Sequence, residues 1–388
     1  MLAALRTSRL ILRAFTLDDA EATVRICGQR IVAATTLRIP HPYSLADARA
    51  WLGMLPDLAA SDRGVVFAIT LDGAVIGSIG LTVDRPHSRA EIGYVIDPSH
   101  WGKGYATEAA RAVVEHAFGT LALRRLFAWH FSRNPASGRV LAKAGFTREG
   151  SQRRQFLKWG RFEDAEVFGM VRGPQQPGEP RHGDPLPAPP PGAPTSRPVA
   201  PSPPTRTTPT CTLRPLRPED RAPALAAIDR AGILADALPW TGPLSSPAPA
   251  NASERAAQDP LDLAALAEAH RRADEGLLLA IDNARGSLVG LAALRTSRAH
   301  ERAEIACLPI PGLPDPTPLA AAGLIDIAFH DLGLKRLTAS ALSLDDAAPL
   351  LALGFRHETS LASHARIDGR FRDVLTFGLL RGEPLAPR

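Results

Sequence analysis

An ordered series of short motifs occurs twice in this chain, once on each side of a proline-rich break. Leu12-Arg13-Ala14-Phe15-Thr16-Leu17-Asp18-Asp19 returns as Leu213-Arg214-Pro215-Leu216-Arg217-Pro218-Glu219-Asp220. Arg89-Ala90-Glu91-Ile92 returns letter for letter as Arg302-Ala303-Glu304-Ile305. Residues 121–126 match 332–337, Gly145-Phe146 matches Gly354-Phe355, and Phe168-Gly169 matches Phe377-Gly378. Gly160-Arg161-Phe162-Glu163-Asp164 matches Gly369-Arg370-Phe371-Arg372-Asp373, and from residue 145 to 173 the two halves hold one register without a gap. Matches that keep their order predict a tandem of two copies of one fold.

The break itself differs in kind. Of the 37 residues from 174 to 210, 14 are proline, and large apolar side chains are almost absent. Such a stretch has nothing with which to form a core and reads as an extended spacer, with an SH3-type ligand as the alternative use. The expected organisation is a first domain over 1–172, a linker over 173–210 and a second domain over 211–388. A length of 388 residues gives each copy enough chain to bury a core.

Within the first copy, residues 8–13 read as a strand, and Thr16-Leu17-Asp18-Asp19 starts a helix that continues from Ala20 to Ile26. A proline-broken loop, Arg38-Ile39-Pro40-His41-Pro42-Tyr43-Ser44, leads to a second helix over 45–55. Strands over 65–70 and 74–81 turn across Asp72-Gly73, a strong hairpin signal. A strand over 91–96, a helix over 107–118, a strand over 126–131 and a helix from Asn134 to Gly145 follow. A hairpin over 147–171, turning near Lys158-Trp159-Gly160, closes the copy. The expected fold class is therefore α/β, with a mixed sheet in about 170 residues.

One loop carries chemistry. His100-Trp101-Gly102-Lys103-Gly104-Tyr105-Ala106-Thr107 lies between an apolar strand and a helix. Two glycines at such a junction let the backbone approach a ligand, and the helix start offers unpaired N–H groups, which suits phosphate oxygens. The second copy has Pro311-Gly312-Leu313-Pro314-Asp315-Pro316-Thr317-Pro318 there. Its four prolines remove four N–H donors, and Asp315 repels anions. Asn134 and Ser137 become Ser343 and Asp346. The second copy keeps what a fold needs and loses what an anion site needs, so a non-catalytic copy is expected.

Other function classes find little support. The net charge of +5 comes without a dense Lys/Arg cluster, so nucleic-acid binding is not indicated. Cys27, Cys211 and Cys307 are scattered singly, which argues against a zinc site or disulfide framework, reads as buried small hydrophobes, and fits a reducing cytoplasm. The apolar run at Met1-Leu2-Ala3-Ala4-Leu5-Arg6 is short for a signal peptide, and nothing approaches the ~20 apolar residues of a membrane span.

Three segments together resemble the GNAT superfamily of acetyl-CoA-dependent N-acetyltransferases. They are Ala90-Glu91-Ile92-Gly93-Tyr94-Val95-Ile96-Asp97-Pro98, Trp101-Gly102-Lys103-Gly104-Tyr105-Ala106-Thr107-Glu108-Ala109, and Asn134-Pro135-Ala136-Ser137 with Gly145-Phe146. Their detail, with Pro40-His41-Pro42-Tyr43 and residues 160–164, is most similar to the branch of ribosomal-protein alanine and serine N-terminal acetyltransferases. The resemblance spans 8–172 well and 211–382 weakly, so two tandem GNAT-like domains are expected.

The resemblance implies that the cofactor pyrophosphate is held by the main-chain N–H groups of Gly102, Lys103, Gly104, Tyr105, Ala106 and Thr107, with Trp101, at the family's usual Gln or Arg position, a further cofactor candidate. It places the pantetheine arm beside Val95 and Ile96, in a gap where strands 91–96 and 126–131 splay apart. Asn134 and Arg139 are further cofactor candidates, and His41 and Tyr43 candidates for a substrate wall. No metal is implied. Acetyl transfer requires a deprotonated amine, a polarised thioester carbonyl and a stabilised leaving thiolate. Ser137 stands where the branch has its general acid, with a helix-capping role as the plain alternative. The branch's hairpin glutamate is replaced here by Phe156, which leaves Glu91 as the candidate base, against a solvated strand-end charge. His130 is a further candidate base, although a lone strand histidine is commonly structural.

The expected activity is transfer of acetyl from acetyl-CoA to a primary amine, a protein N-terminus or similar. A small-molecule or antibiotic amine acceptor and a non-catalytic acyl-CoA sensor are the alternatives. The sequence names neither the acceptor nor the oligomeric state.

Overall fold

The computed structural model describes residues 2–173, 206–207, 211–220, 223–224, 276–310, 312–313, 316–367 and 369–383. The linker, apart from 173 and 206–207, lies outside the described residues, as do Pro311, Pro314 and Asp315. The chain divides into two units, Met1–Gly183 with Thr359–Val374, and Asp184–Glu358 with Leu375–Arg388.

The first unit begins with β1 (Leu5–Arg6) and β2 (Ile11–Ala14), an antiparallel pair that places Leu10 and Leu12 in the core. Arg13 then grips Asp19 bidentately, at 2.8 Å on both oxygens, and fixes the turn into α1 (Ala20–Cys27). A short helix, α2 (Arg30–Thr35), follows. Its six residues are too few for a helical period to stand out in the sequence. α3 (Leu45–Ala60) starts at a reciprocal Ser44–Asp47 capping box and continues past the expected end at residue 55, through Pro56. A proline removes one intrahelical bond; before it, Ala48 and Leu52 pack with Ala20.

β3 (Gly64–Leu71) and β4 (Ala74–Asp84) form the expected hairpin, and β4 pairs along its length with β5 (Arg89–Ile96). Next come α4 (Tyr105–Gly119), β6 (Arg125–Phe131), α5 (Pro135–Ala144), β7 (Thr147–Lys158) and β8 (Arg161–Val171). The strand order is β1-β2-β3-β4-β5-β6-β8-β7, antiparallel except for β5 and β6. The mixed α/β sheet expected of residues 8–172 is thus present. One core joins the sheet to α4 and α5 through Ile92, Ile96, Ala110, Val113, Leu126 and Leu141. Ile26, Ala68, Val75 and Val95 form a separate cluster with Phe15, on the side of α1.

β6 also carries Arg125, fully buried and paired with Glu149. A Cβ on Gly169 would lie 2.3 Å from Glu149 Oε1, so the missing side chain leaves room for the carboxylate. Residues 359–374 complete the pair: Arg125 Nη1 donates to the Ala362 carbonyl, and Ala362 N donates to Glu149 at 3.1 Å.

The second unit contains β9 (Arg206–Thr207), β10 (Cys211–Pro215), β11 (Gly276–Asn283), β12 (Leu288–Ser297) and β13 (Arg302–Pro309). Then follow α6 (Thr317–Asp326), β14 (Arg336–Ala341), α7 (Leu344–Ala352) and parts of β15 (Arg356–Ile367) and β16 (Arg370–Leu380). β10 through β13 pair antiparallel in order, β13 and β14 pair parallel, and β14 pairs antiparallel with β16. These are, in order, the pairings of β2, β3, β4, β5, β6 and β8. The matched side chains also repeat their contacts. Arg214 grips Asp220 at 2.7 and 3.0 Å, and Arg336 is buried against Glu358 beneath Gly378.

Candidate active site

β5 and β6 lie side by side only where Arg89, Ala90 and Glu91 pair with Arg125, Leu126 and Phe127. Beyond them the two strands have no pairing with each other, which opens the splay expected between 91–96 and 126–131. Alternation along β5 divides this gap between two faces. Ile92, Tyr94 and Ile96 turn toward the core under α4 and α5, whereas Val95 packs with Ile26 and Val75 on the α1 side. Glu91 and Gly93 share the parity of Val95. Gly93 is exposed, and a Cβ there would meet no atom within 4 Å.

The glycine loop follows β5. Asp97 caps the turn Pro98–His100 by accepting from Ser99 N at 3.1 Å, and Arg25 of α1 pairs with its carboxylate. The Trp101 indole N–H donates to the Ile96 carbonyl at 2.7 Å, and Trp101 N donates to Pro98 O. The Trp101 main-chain N–H is therefore already used within the protein. Gly102 and Gly104 adopt φ of 75° and 85°, a region that strains any side chain, and Gly104 caps α4. α4 consequently starts at Tyr105, two residues before the sequence-based expectation. Among the described residues, the N–H groups of Gly102, Lys103, Gly104, Tyr105, Ala106 and Thr107 have no main-chain acceptor. Six such donors at a helix start fit the phosphates of a nucleotide cofactor. The Lys103 ammonium donates to the Ser99 carbonyl at 3.0 Å.

A second anchor of the loop is Arg9, which sequence reasoning does not find. Its guanidinium donates to the Lys103 carbonyl at 3.0 Å, pairs with Glu108 at 2.6 Å, and lies 4.6 Å from the centre of the Tyr105 ring. Thr7, Ser8 and the Arg9 N–H also donate to Glu108. These bonds hold the glutamate below the usual carboxylate range against its partial burial.

On the other flank of the gap, Asn134 precedes α5 but its side chain makes no capping bond. Ser137 makes a contact absent from the sequence reading: its Oγ lies 2.8 Å from the Tyr94 hydroxyl, which is also 3.0 Å from the Ser137 carbonyl. Burial pushes the Tyr94 phenol up to about 12, with the Ser137 bond opposing. Arg139 is exposed on α5. His130 is buried against Phe168 and Gly138, with Nδ1 2.9 Å from the Phe131 carbonyl.

Glu91 is half-buried at the fork where the strands part. Burial pushes its carboxyl above the ordinary value, opposed by the Arg38 charge and by a hydrogen bond from the Trp129 side chain. Phe156 packs on Trp129 with ring centres 4.4 Å apart and is buried, so the hairpin position offers no acid. Its cross-strand partner Glu163 is paired with Arg133 at 2.8 Å. The Lys158 ammonium donates to the carbonyls of Leu37 and Ile39, each at 3.1 Å, and so holds the segment carrying Arg38. His41 is exposed and faces Trp159, 6.2 Å between ring centres. Tyr43 packs against the cluster of Ala20, Ala48 and Leu52, and burial pushes its hydroxyl up to about 12.

The matching positions of the second unit differ. Glu304 forms a salt bridge with Arg295 at 2.7 Å, where the first unit has Thr82 opposite Glu91. Ser343 caps α7 by accepting from Asp346 N at 3.1 Å. Cys307 stands in place of Tyr94 in the repeated strand. Among the described residues, no group of three or more His, Cys, Asp or Glu side chains is placed to hold a metal ion, and no helix is long and apolar enough to cross a membrane.

Residues 9–147 match the sequence profile of the acetyltransferase (GNAT) domain. The chain is 35% identical over 171 residues to the uncharacterized N-acetyltransferase YoaA of Bacillus subtilis, covering 43% of this chain and 96% of YoaA. It is 41% identical over 174 residues to the probable N-acetyltransferase YjcK of the same organism, with the same coverage of 43% and 96%. The L-amino acid N-acetyltransferase AaaT of Escherichia coli is 27% identical over 168 residues, covering 42% of this chain and 99% of AaaT.

Proposed function

This chain belongs to the GNAT family of N-acetyltransferases, and on that premise we propose that its first copy transfers acetyl from acetyl-CoA to a primary amine. The chain is thereby an acyltransferase. The observation that carries the acetyl-CoA assignment is the run of unpaired N–H groups at Gly102–Thr107 beside the opening between β5 and β6. Acetyl-CoA supplies the thioester carbonyl. The amides from Gly102 to Thr107 hold its pyrophosphate, with Trp101 setting the loop from its side chain. The pantetheine arm lies along Val95 and Ile96, with Asn134 and Arg139 at its flank.

Glu91 takes the amine proton. Its raised pKa brings its basicity closer to neutrality, where a carboxylate base works better. Ser137 hydrogen-bonds the departing sulfur from the opposite face. His41 and Trp159 border the acceptor entrance, and Tyr43 supports that wall from within. The acceptor is a protein N-terminus or similar amine. AaaT, named for L-amino acids, favours a small acceptor as the second reading. A third reading, an acyl-CoA sensor without turnover, draws on the buried Phe156 at the hairpin position.

In this reading residues 1–172 form the catalytic GNAT domain, 173–210 a linker, and 211–388 a degenerate second copy, in a cytoplasmic protein. The repeated strand pairings and Arg–Asp and Arg–Glu contacts support the second copy. The Glu304–Arg295 bridge and the Ser343 cap support its inactivity. Thiol release from acetyl-CoA across a panel of peptides, amino acids, polyamines and aminoglycosides tests the function. Turnover on one class names the acceptor. Calorimetric binding of acetyl-CoA with no turnover on any amine selects the sensor.

A further inference from the structure

Tyr94 sits in the middle of an apolar strand, where its ring belongs to the core with Ile92, Ile96 and Leu141. Its hydroxyl nevertheless reaches out of that core to the first turn of α5, 2.8 Å from Ser137 Oγ and 3.0 Å from the Ser137 carbonyl. Ser137 is the third residue of α5, a place where a serine hydroxyl commonly turns back to the helix start. Here the start is built differently: Asn134 makes no side-chain cap, and Ser137 N donates to the Asn134 carbonyl at 3.1 Å. The serine hydroxyl is held from β5 instead.

We propose that Tyr94 is the positioning residue for Ser137, holding the serine oxygen so that its own O–H faces the departing sulfur. This inference rests on the acetyl-transfer reading above. The phenol has one proton and two acceptors within reach, the Ser137 hydroxyl and carbonyl oxygens. At 2.8 Å either hydroxyl can donate to the other; in the proposed arrangement the phenol is the donor, which occupies the serine oxygen as an acceptor and leaves the serine proton for the gap. In the transfer, a C–N bond forms and the C–S bond breaks, with its electron pair leaving on sulfur. The amine proton goes to Glu91, and Ser137 donates a hydrogen bond to the sulfur. Tyr94 keeps its proton throughout, in accord with a phenol whose burial pushes it up to about 12.

The second copy supplies an internal control. The strand position of Tyr94 holds Cys307 there, and the position of Ser137 holds Asp346, whose N–H is bound by the Ser343 cap. The tyrosine and the serine are lost together, in the copy that has also lost the Gly-Lys-Gly loop. A tyrosine needed only to fasten strand to helix has no reason to follow the loop in this way.

The test compares Tyr94→Phe, Ser137→Ala and the double variant in the full chain, using thiol release with acetyl-CoA and the best amine of the panel. Phenylalanine keeps the ring packing and removes one hydroxyl. Ser137→Ala is expected to lower kcat about 100-fold, and Tyr94→Phe about tenfold. KM for acetyl-CoA should stay within about twofold in both. In the Ser137→Ala background, Tyr94→Phe should cost nothing further, because residues acting as a unit are non-additive. A Tyr94→Phe enzyme with wild-type kcat overturns the proposal. So does a loss that persists in the Ser137→Ala background with a lowered Tm, which marks a structural fastener. A wild-type protein that turns over no amine overturns the acetyl-transfer reading and this role with it.

Discussion

Arg9 and Lys103 are joined by a 3.0 Å hydrogen bond from the Arg9 guanidinium to the Lys103 carbonyl, across 94 positions of sequence. The same guanidinium grips Glu108 in the first turn of α4, so one side chain ties the β1–β2 turn to both ends of the Gly104 junction. A loop built from two glycines is costly to order, because glycine loses the most conformational freedom on folding. Arg9 supplies the order from outside the loop. Arg9→Ala should therefore raise KM for acetyl-CoA about fivefold, from the loss of roughly 1 kcal/mol of hydrogen bonding at a half-exposed site. kcat should be little changed. Steady-state kinetics with varied acetyl-CoA checks this.

The acid limb of the kcat/KM profile should report Glu91. Burial raises its pKa, so the carboxylate needed to accept a proton is lost as pH falls through a value above the ordinary glutamate range. Arg38 opposes the shift, and Arg38→Ala should therefore move the limb to higher pH. Glu91→Gln should remove the limb and lower kcat/KM about 100-fold. A limb that survives Glu91→Gln assigns the base elsewhere.

Gly169→Ala should destabilise the first unit. The added Cβ would lie 2.3 Å from Glu149 Oε1, and the carboxylate has little room to move while it holds Arg125 and Ala362. Overpacking of this kind costs ~1–3 kcal/mol, and more if the buried pair opens. Gly378→Ala, with its Cβ 2.4 Å from Glu358 Oε1, should act likewise on the second unit. Thermal unfolding followed by calorimetry should show each substitution lowering Tm, with acetyl-transfer activity below the transition retained in Gly378→Ala.

Much of this was legible in the sequence where local chemistry decides the outcome. The Asp72-Gly73 hairpin and the Gly102 and Gly104 conformations follow from residues that tolerate few alternatives, whereas the splayed strand pair follows from the family resemblance. α4 starts two residues before the expected residue 107, because Gly104 in the left-handed region serves as its cap. Arg9 was not legible, since nothing local marks an exposed arginine as a partner for a glutamate 99 residues away. Tyr94 was hidden by its setting: in an apolar strand it reads as core, which its ring is, while its hydroxyl has a separate role. The buried Arg125–Glu149 pair was within reach. Arginine, glutamate and glycine all recur at the matching positions 336, 358 and 378, and a repeated charge within an apolar pattern is a sign of internal pairing.

One cradle, at Gly102–Thr107, is expected to serve the whole chain. The direct measurement is acetyl-CoA binding by calorimetry together with thiol release, for the wild type and for Gly104→Val. Valine at φ of 85° is strained by about 1–3 kcal/mol, and it alters the cap that presents the amides. The expected result is one acetyl-CoA bound per wild-type chain with turnover on an amine, and neither binding nor turnover in a folded Gly104→Val protein. Stoichiometric binding that persists in Gly104→Val would contradict it and place a working cradle elsewhere in the chain.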